Sequence, residues 1–299
     1  MARARRRGTT AAVSATPLVS ADSEMPARFP PKVPSGATQI EVEGVSKAFV
    51  DAHGHQLLAL VNVDLAIEAG TFVSLIGPSG CGKSTLLRIM GGLDQPSTGD
   101  LRAPTLAGKA AGSSASRSAF VFQDYGLMPW LTVVDNVAFG LRMAGVGKME
   151  RRERARAWLA RVGLSGFERA YPEQLSGGMR QRLSLARAFV CEPDVLFMDE
   201  PMGAVDPQTR LLLQEDLLRI WEETHKTVVL VTHSLDEALL LGDRVVVMTA
   251  RPGRVKLDLH VDLDRPRAVA MTSGQEFAAL RTTLWDALRD EVARSMALS

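Results

Sequence analysis

The sequence is poor in several features that would set it apart from ordinary globular proteins. It holds only two cysteines, Cys81 and Cys191, in 299 residues. That is too few for a disulfide framework or a thiolate metal cluster, and it suits a reducing compartment. Long apolar runs are missing: stretches such as Val228 to Val231 and Val245 to Met248 fall far short of the roughly 18 residues that would suggest a membrane span. An excess of one charge is missing as well. The 35 Lys and Arg face 34 Asp and Glu, a formal net charge of +1, so neither a strongly basic nucleic-acid binder nor an acidic tail protein fits. What is present is ordinary globular composition, 46% hydrophobic and 23% charged, in a length that suits one large core or two modest domains.

Residues 1–37 are built from Ala, Ser, Thr, Pro and Arg with few large apolar side chains. A disordered N-terminal tail is expected there, because such a segment cannot bury enough surface to offset its ordering entropy. Arg3, Arg5, Arg6, Arg7, Arg28 and Lys32 outweigh Asp22 and Glu24. The tail lacks the unbroken apolar segment of a secretory signal; attraction to anionic lipid is the alternative to simple solvation.

From Thr38 onward, short β-branched runs read as buried strands: Gln39 to Val45, Phe72 to Ile76, Ala119 to Phe122, Val195 to Met198, Thr227 to Thr232 and Arg244 to Met248. Helical patterns lie between them, over Lys83 to Gly91, Lys148 to Val162, Gln181 to Cys191 and Gln208 to Thr224. Alternation of strand and helix predicts an α/β fold with a largely parallel sheet over residues 38–299. The mostly helical interval from about residue 127 to residue 192 reads as an inserted subdomain. After Pro266, the spacing of Phe277, Leu280, Leu284, Leu288 and Val292 predicts an amphipathic C-terminal helix over about 266–299, packed on its own domain.

Gly77-Pro78-Ser79-Gly80-Cys81-Gly82-Lys83-Ser84 fits the phosphate-loop pattern G-x-x-x-x-G-K-[ST], follows a strand-like run and opens a helix-like one. Glycines let successive N–H groups turn inward, and the helix N-terminus adds partial positive charge. Lys83 would reach the terminal phosphates and Ser84 would ligate Mg²⁺. The run Val195-Leu196-Phe197-Met198-Asp199-Glu200 is an apolar strand ending in two carboxylates, which sets acids at the carboxyl edge of a parallel sheet beside the phosphate loop. Asp199 is then the metal-side acid, and Glu200 the group that polarises or positions an attacking water. Leu175-Ser176-Gly177-Gly178-Met179 precedes the helical run from Arg180, making a second anion-receptive helix start.

Leu175 to Met179 resembles the signature sequence of ATP-binding cassette (ABC) ATPases, and the phosphate loop and acidic strand stand in that family's order around it, over about residues 39–254. The resemblance implies a P-loop NTPase core with an inserted helical subdomain and an antiparallel β portion near the N-terminus. It implies ATP and Mg²⁺ as ligands, with nucleotide contacts from Gly77 through Ser84 and Thr85. By the same resemblance Gln123 is similar to the glutamine that touches Mg²⁺ and the catalytic water, His233 to the histidine at the γ-phosphate, and Asp206 to the aspartate of the dimer interface. Phe49 occupies the place of the ring that stacks on adenine; strand-end core is its alternative. Two chains would sandwich two ATP molecules, each nucleotide between the phosphate loop of one chain and Ser176, Gly177 and Gly178 of the other.

Further stretches resemble ATPase subunits of the nitrate, sulfonate and taurine importer subgroup: Phe122 to Asp124 with Leu127 to Trp130, Met198 to Asp206, Thr232 to Ala238, and Met248 to Arg254. The last of these is expected outside the ATP site. Residues 103–118 and Val205 depart from the usual pattern. The implied partners are a second copy, integral-membrane permease subunits and, indirectly, an extracytoplasmic substrate-binding protein, with the chain at the cytoplasmic face of a bacterial-type membrane. Asp124 to Trp130 either contacts such a permease or packs within the helical subdomain. The alternatives are a membrane-free cassette ATPase of the translation or DNA-repair type, and a small-molecule kinase, which leaves Leu175 to Met179 unexplained. The basic stretch from Lys148 to Arg156 reads as a solvated helix face rather than a nucleic-acid surface.

Overall fold

Phe72–Ile76, Val195–Asp199 and Thr227–Val231 are buried at every position, as only strands covered on both faces can be. They form the middle of a computed structural model that describes residues 38–50, 54–103 and 117–297. The expected tail over 1–37 lies outside the described residues, as does most of the departing segment 103–118.

In chain order, β1 (Thr38–Val50) and β2 (Gln56–Glu68) form a long antiparallel pair, followed by β3 (Phe72–Ile76), α1 (Lys83–Met90), β4 (Thr98–Arg102) and β5 (Ser118–Val121). Four helices come next, α2 (Val133–Val137), α3 (Phe139–Met143), α4 (Lys148–Arg161) and α5 (Gly177–Phe189). The chain then returns to the sheet with β6 (Val195–Asp199), α6 (Pro207–Thr224), β7 (Thr227–Val231), α7 (Leu235–Leu241), β8 (Arg244–Met248) and β9 (Val255–His260), and ends on α8 (Gln275–Ala297). The main sheet has the order β5-β6-β7-β3-β8-β9, and a second, three-stranded sheet has the order β2-β1-β4. All neighbours in the main sheet run parallel except β8 and β9; the smaller sheet is antiparallel throughout. The mostly parallel sheet and the helical insert between β5 and β6 are those the sequence pattern predicted, and the antiparallel N-terminal portion is the one the family resemblance implied.

Two cores follow from this layering. One lies between the sheets, where Ile40, Val42 and Ile67 of the small sheet meet Val73, Leu75 and Val229 of the large one around Leu86, Leu87 and Ile89 of α1. Each such side chain contributes about 1.5–3 kcal/mol by leaving water. The other covers the opposite face and runs on into the helical insert, joining Leu196, Val228 and Val245 to Leu213 and Leu217 of α6, Val133 of α2 and Trp158 of α4. The Trp158 ring stacks on Phe189 of α5 at 5.4 Å between centroids. Phe277, Leu284 and Leu288 of α8 are buried in this same core, so the C-terminal helix packs on its own chain.

One buried cation ties the end of the sheet together. The Arg267 guanidinium donates to the carbonyls of Leu239, Gly242, Val261 and Leu263, and burial lowers its pKa to about 10. Arg267→Met would leave those acceptors without their donor inside the protein. We expect the variant to lose about 3 kcal/mol or more of stability, read as a lower urea midpoint; an unchanged midpoint would mean that other donors replace the guanidinium.

Candidate ATP site

The loop between β3 and α1 is shaped by its glycines. Gly82 has φ +105° immediately before α1, and a Cβ there would sit 2.6 Å from the Leu60 side chain and 3.0 Å from the Ala59 carbonyl. Only glycine meets both demands. The loop therefore lies tight against β2 and opens its backbone toward a cleft of about 410 Å³, whose phosphate-loop wall is Ser79, Gly80, Gly82, Lys83, Ser84 and Thr85. Lys83 is buried, and its Nζ donates to the carbonyls of Gly77 (2.9 Å) and Pro78 (3.0 Å). The Cys81 side chain is buried with the core between the sheets, its Sγ 3.9 Å from Lys83 Nζ, and burial pushes its thiol pKa up.

Across the loop stand the carboxyl ends of the strands. Ser84 Oγ donates to Asp199 Oδ1 at 2.7 Å, and the other oxygen, Asp199 Oδ2, lies 3.8 Å from Arg88. Glu200, the next residue, turns into the left-handed region at φ +46°. That conformation is disfavoured for a side chain with a Cβ, and it is held by Glu200 N–H donating to Val231 C=O and Gly203 N–H donating to Glu200 C=O. The turn carries the carboxylate off the strand and into the cleft, where His233 Nε2 lies 2.6 Å from Glu200 Oε1. His233 is braced from behind: Ser234 N–H donates to Thr232 Oγ1, and Thr232 Oγ1 in turn donates to the buried Glu237. Burial pushes the Glu237 carboxyl pKa up.

Gln123, just past β5, completes this side of the cleft. At the far end are Phe49 of β1 and its cross-strand neighbour Leu57 of β2, with Ala59. Phe49 is 41% exposed, which removes the strand-end core alternative, and its ring has Lys47 Nζ at 5.1 Å from the centroid.

The second group of expected residues lies elsewhere. Ser176 caps α5, its hydroxyl accepting from Met179 N–H at 3.3 Å, and Asp206 caps α6, its carboxylate accepting from Thr209 N–H at 3.0 Å. The hydrogen bonds from Thr209 hold the Asp206 carboxyl below the usual carboxylate range. A Cβ on Gly178 would sit 2.5 Å from Thr209 Cγ2, so the missing side chain is what lets the two helix starts meet. Ser176, Gly177, Gly178 and Asp206 thus share an edge of the chain, and none of them lines the cleft.

One finding corrects the sequence reading, and another bears on a question it left open. The segment Met248 to Arg254, expected outside the ATP site, folds back over the phosphate loop and sends Arg251 into the cleft, with Nε donating to the Gly80 carbonyl at 3.1 Å. And Trp130, for which a contact surface and internal packing were both open, is 74% exposed. Arg251 carried no local signal: its position depends on a return of the chain that strand and helix periodicity do not encode.

Comparison with known proteins agrees with this geometry. The ABC transporter family profile matches residues 60–203. An uncharacterized ABC transporter ATP-binding protein of Methanocaldococcus jannaschii is 47% identical over 258 residues, 86% of this chain and 94% of that protein. The aliphatic sulfonates import ATP-binding protein SsuB of Bacillus cereus is 41% identical, with 79% of this chain and 92% of that one covered. The nitrate import ATP-binding protein NrtD of Synechocystis is 42% identical, with coverage of 75% and 83%. Among solved structures, the ATP-binding cassette MJ0796, a dimer in a post-hydrolysis state with ADP and Pi, superposes with a TM-score of 0.64 at 32% identity, covering 76% of this chain and all of that one. With its cleft, its strand order and these likenesses together, the chain belongs to the ABC transporter family, as an ATP-binding subunit whose ATPase activity is coupled to transport.

Proposed function

We propose that this chain powers an importer for a small anion of the nitrate or sulfonate kind, as a homodimer at the cytoplasmic face of a membrane. The observation that carries the dimer is the division of the site: Lys83, Asp199, Glu200 and His233 gather at the cleft, whereas Ser176, Gly177, Gly178 and Asp206 stand on a different edge. A second copy would bring its Ser176 and its helix start against the nucleotide of the first, closing over it. The importer reading rests on the names of the sulfonate and nitrate relatives.

Within the cleft, Phe49 would hold the adenine face, and the loop amides with Lys83 would hold the phosphates. Ser84 and Asp199 already present two hard oxygen donors side by side, the donor type Mg²⁺ prefers, with Gln123 also lining the cleft. The ion, when bound, would neutralise charge on the phosphates. Glu200 accepts the proton of the attacking water, and His233, hydrogen-bonded to it, fixes the direction of that carboxylate. The motion that follows, closing and opening of two subunits, needs a membrane partner to act on. Among the described residues no helix is long and apolar enough to cross a membrane. The exposed Trp130, in the loop after Gln123, is a side chain suited to such a contact.

The test is to express a tagged Glu200→Gln chain in its native host, solubilise membranes in mild detergent with MgATP, and identify what co-purifies. Recovery of a polytopic membrane protein, with a binding protein encoded beside it, supports the importer. Recovery of ribosomal or DNA-repair components and no membrane protein overturns it in favour of the membrane-free class.

A further inference from the structure

The segment between β8 and β9 is pinned in three places. On β2, Gly253 N–H donates to Ala59 C=O (2.8 Å) and Gly253 C=O accepts from Val61 N–H (3.0 Å). On the phosphate loop, a Cβ at Gly253 would fall 2.1 Å from the Cys81 carbonyl, and Arg251 Nε donates to Gly80 C=O. The third anchor is the C-terminal helix. Glu291 of α8, its side chain only 2% exposed, accepts from Ala250 N–H through Oε2 (3.0 Å) and from Lys256 Nζ through Oε1 (2.8 Å), with Arg294 Nη1 at 3.2 Å. One turn further on, Ser295 Oγ donates to the Ser79 carbonyl at 3.4 Å.

A carboxylate this deeply buried costs free energy unless it is fully paired, and here its two oxygens are used on both sides of the residue that enters the cleft. Arg251 itself is paired with no carboxylate among the described residues; its one hydrogen bond there is the one to Gly80. Its guanidinium is thus a positive charge with donors to spare, at the mouth of a cleft whose other cation, Lys83, is turned toward loop carbonyls. Arginine in such a position is suited to phosphate oxygens, which it can contact through two N–H groups at once.

We infer that Arg251 is a nucleotide-binding side chain of this cleft, set in place by Glu291 of the C-terminal helix. The inference rests on the cleft being the ATP site and adds to it a contact supplied from outside the phosphate loop. It also gives the C-terminal helix a task, as the element that positions Arg251.

Binding of MgATP to the full-length chain, titrated at two salt concentrations, tests both halves. Arg251→Ala should raise the apparent Kd about tenfold, the scale of one charge-assisted contact, and should flatten its salt dependence, because one screened charge has gone. Arg251→Lys should recover most of the affinity. Glu291→Gln, which keeps the shape but weakens the grip on Lys256 and Ala250, should weaken binding several-fold alone and add nothing in the Arg251→Ala background. An unchanged Kd and salt slope in Arg251→Ala overturns the inference. A Glu291→Gln effect of equal size with and without Arg251 overturns the positioning half. Lys83→Ala separates the two levels: if it loses nucleotide while Arg251→Ala does not, the ATP site stands and Arg251 has no part in it; if both bind normally, the site itself is misassigned.

Discussion

A Glu200→Gln chain is expected to bind MgATP as well as the unaltered protein while its turnover falls at least about a hundredfold, the scale of a lost general base. The argument starts from the backbone. Glu200 follows the last residue of β6 in a left-handed conformation, an arrangement of order 1–3 kcal/mol less favourable than an extended one and retained through two main-chain hydrogen bonds. The turn brings the carboxylate into the cleft, 2.6 Å from His233 Nε2. Glutamine fills the same volume and can still accept from His233, so the cleft keeps its shape, but an amide cannot take a proton from water near neutral pH. Equilibrium binding together with single-turnover phosphate release separates the two effects, and near-normal turnover would remove Glu200 from the proposed role.

Lys83→Ala should act at the other step, weakening MgATP binding about a hundredfold through the loss of a charged donor from a sheltered site. The side chain is buried, and its Nζ already lies against the turn formed by Gly77 and Pro78, so its reach to a phosphate in that turn is short. Alanine removes the charge while leaving the glycine-shaped backbone. Calorimetric titration of the purified variant gives the answer directly, and unchanged affinity would count against the phosphate-loop assignment.

Much of this site was legible because its constraints are local. The phosphate loop needs glycine where φ is positive and a lysine and a hydroxyl one after the other, and all of that falls within eight consecutive residues from Gly77 to Ser84. The buried strands were equally plain, since Val195–Asp199 and Thr227–Val231 are apolar on both faces. Two strands with one wet face, β2 and β9, were missed. β2 alternates, with Val63, Leu65 and Ile67 inward and Asp64 and Ala66 outward, and β9 sets Lys256, Asp258 and His260 between Val255, Leu257 and Leu259; their polar positions hid them from a search for unbroken β-branched runs. β4, with the sequence TGDLR, has almost no apolar signal and exists because β1 supplies its partner. The start of α5 was set too late, at Gln181 instead of Gly177, because Gly177 and Gly178 weaken helix propensity while the Ser176 cap and packing against α6 restore it. Arg251 was invisible for a different reason, since its neighbours in the cleft are about 170 residues away in sequence.

The same separation bears on how the protein is made. β3, which carries the phosphate loop, is flanked by β7 and β8, so Phe72 finds its partner at Val228 and Val73 at Arg244, roughly 155 to 170 residues later. At about 5–20 residues per second, the ribosome needs on the order of 10–30 s to deliver them. For that interval an apolar strand and the first turn of α1 have left the exit tunnel with no sheet to join, a stretch suited to chaperones and prone to wrong pairing. β3 has both of its sheet neighbours only once β8 has emerged, and a nascent chain that stalls in α6 carries every residue of the loop on a strand with neither partner.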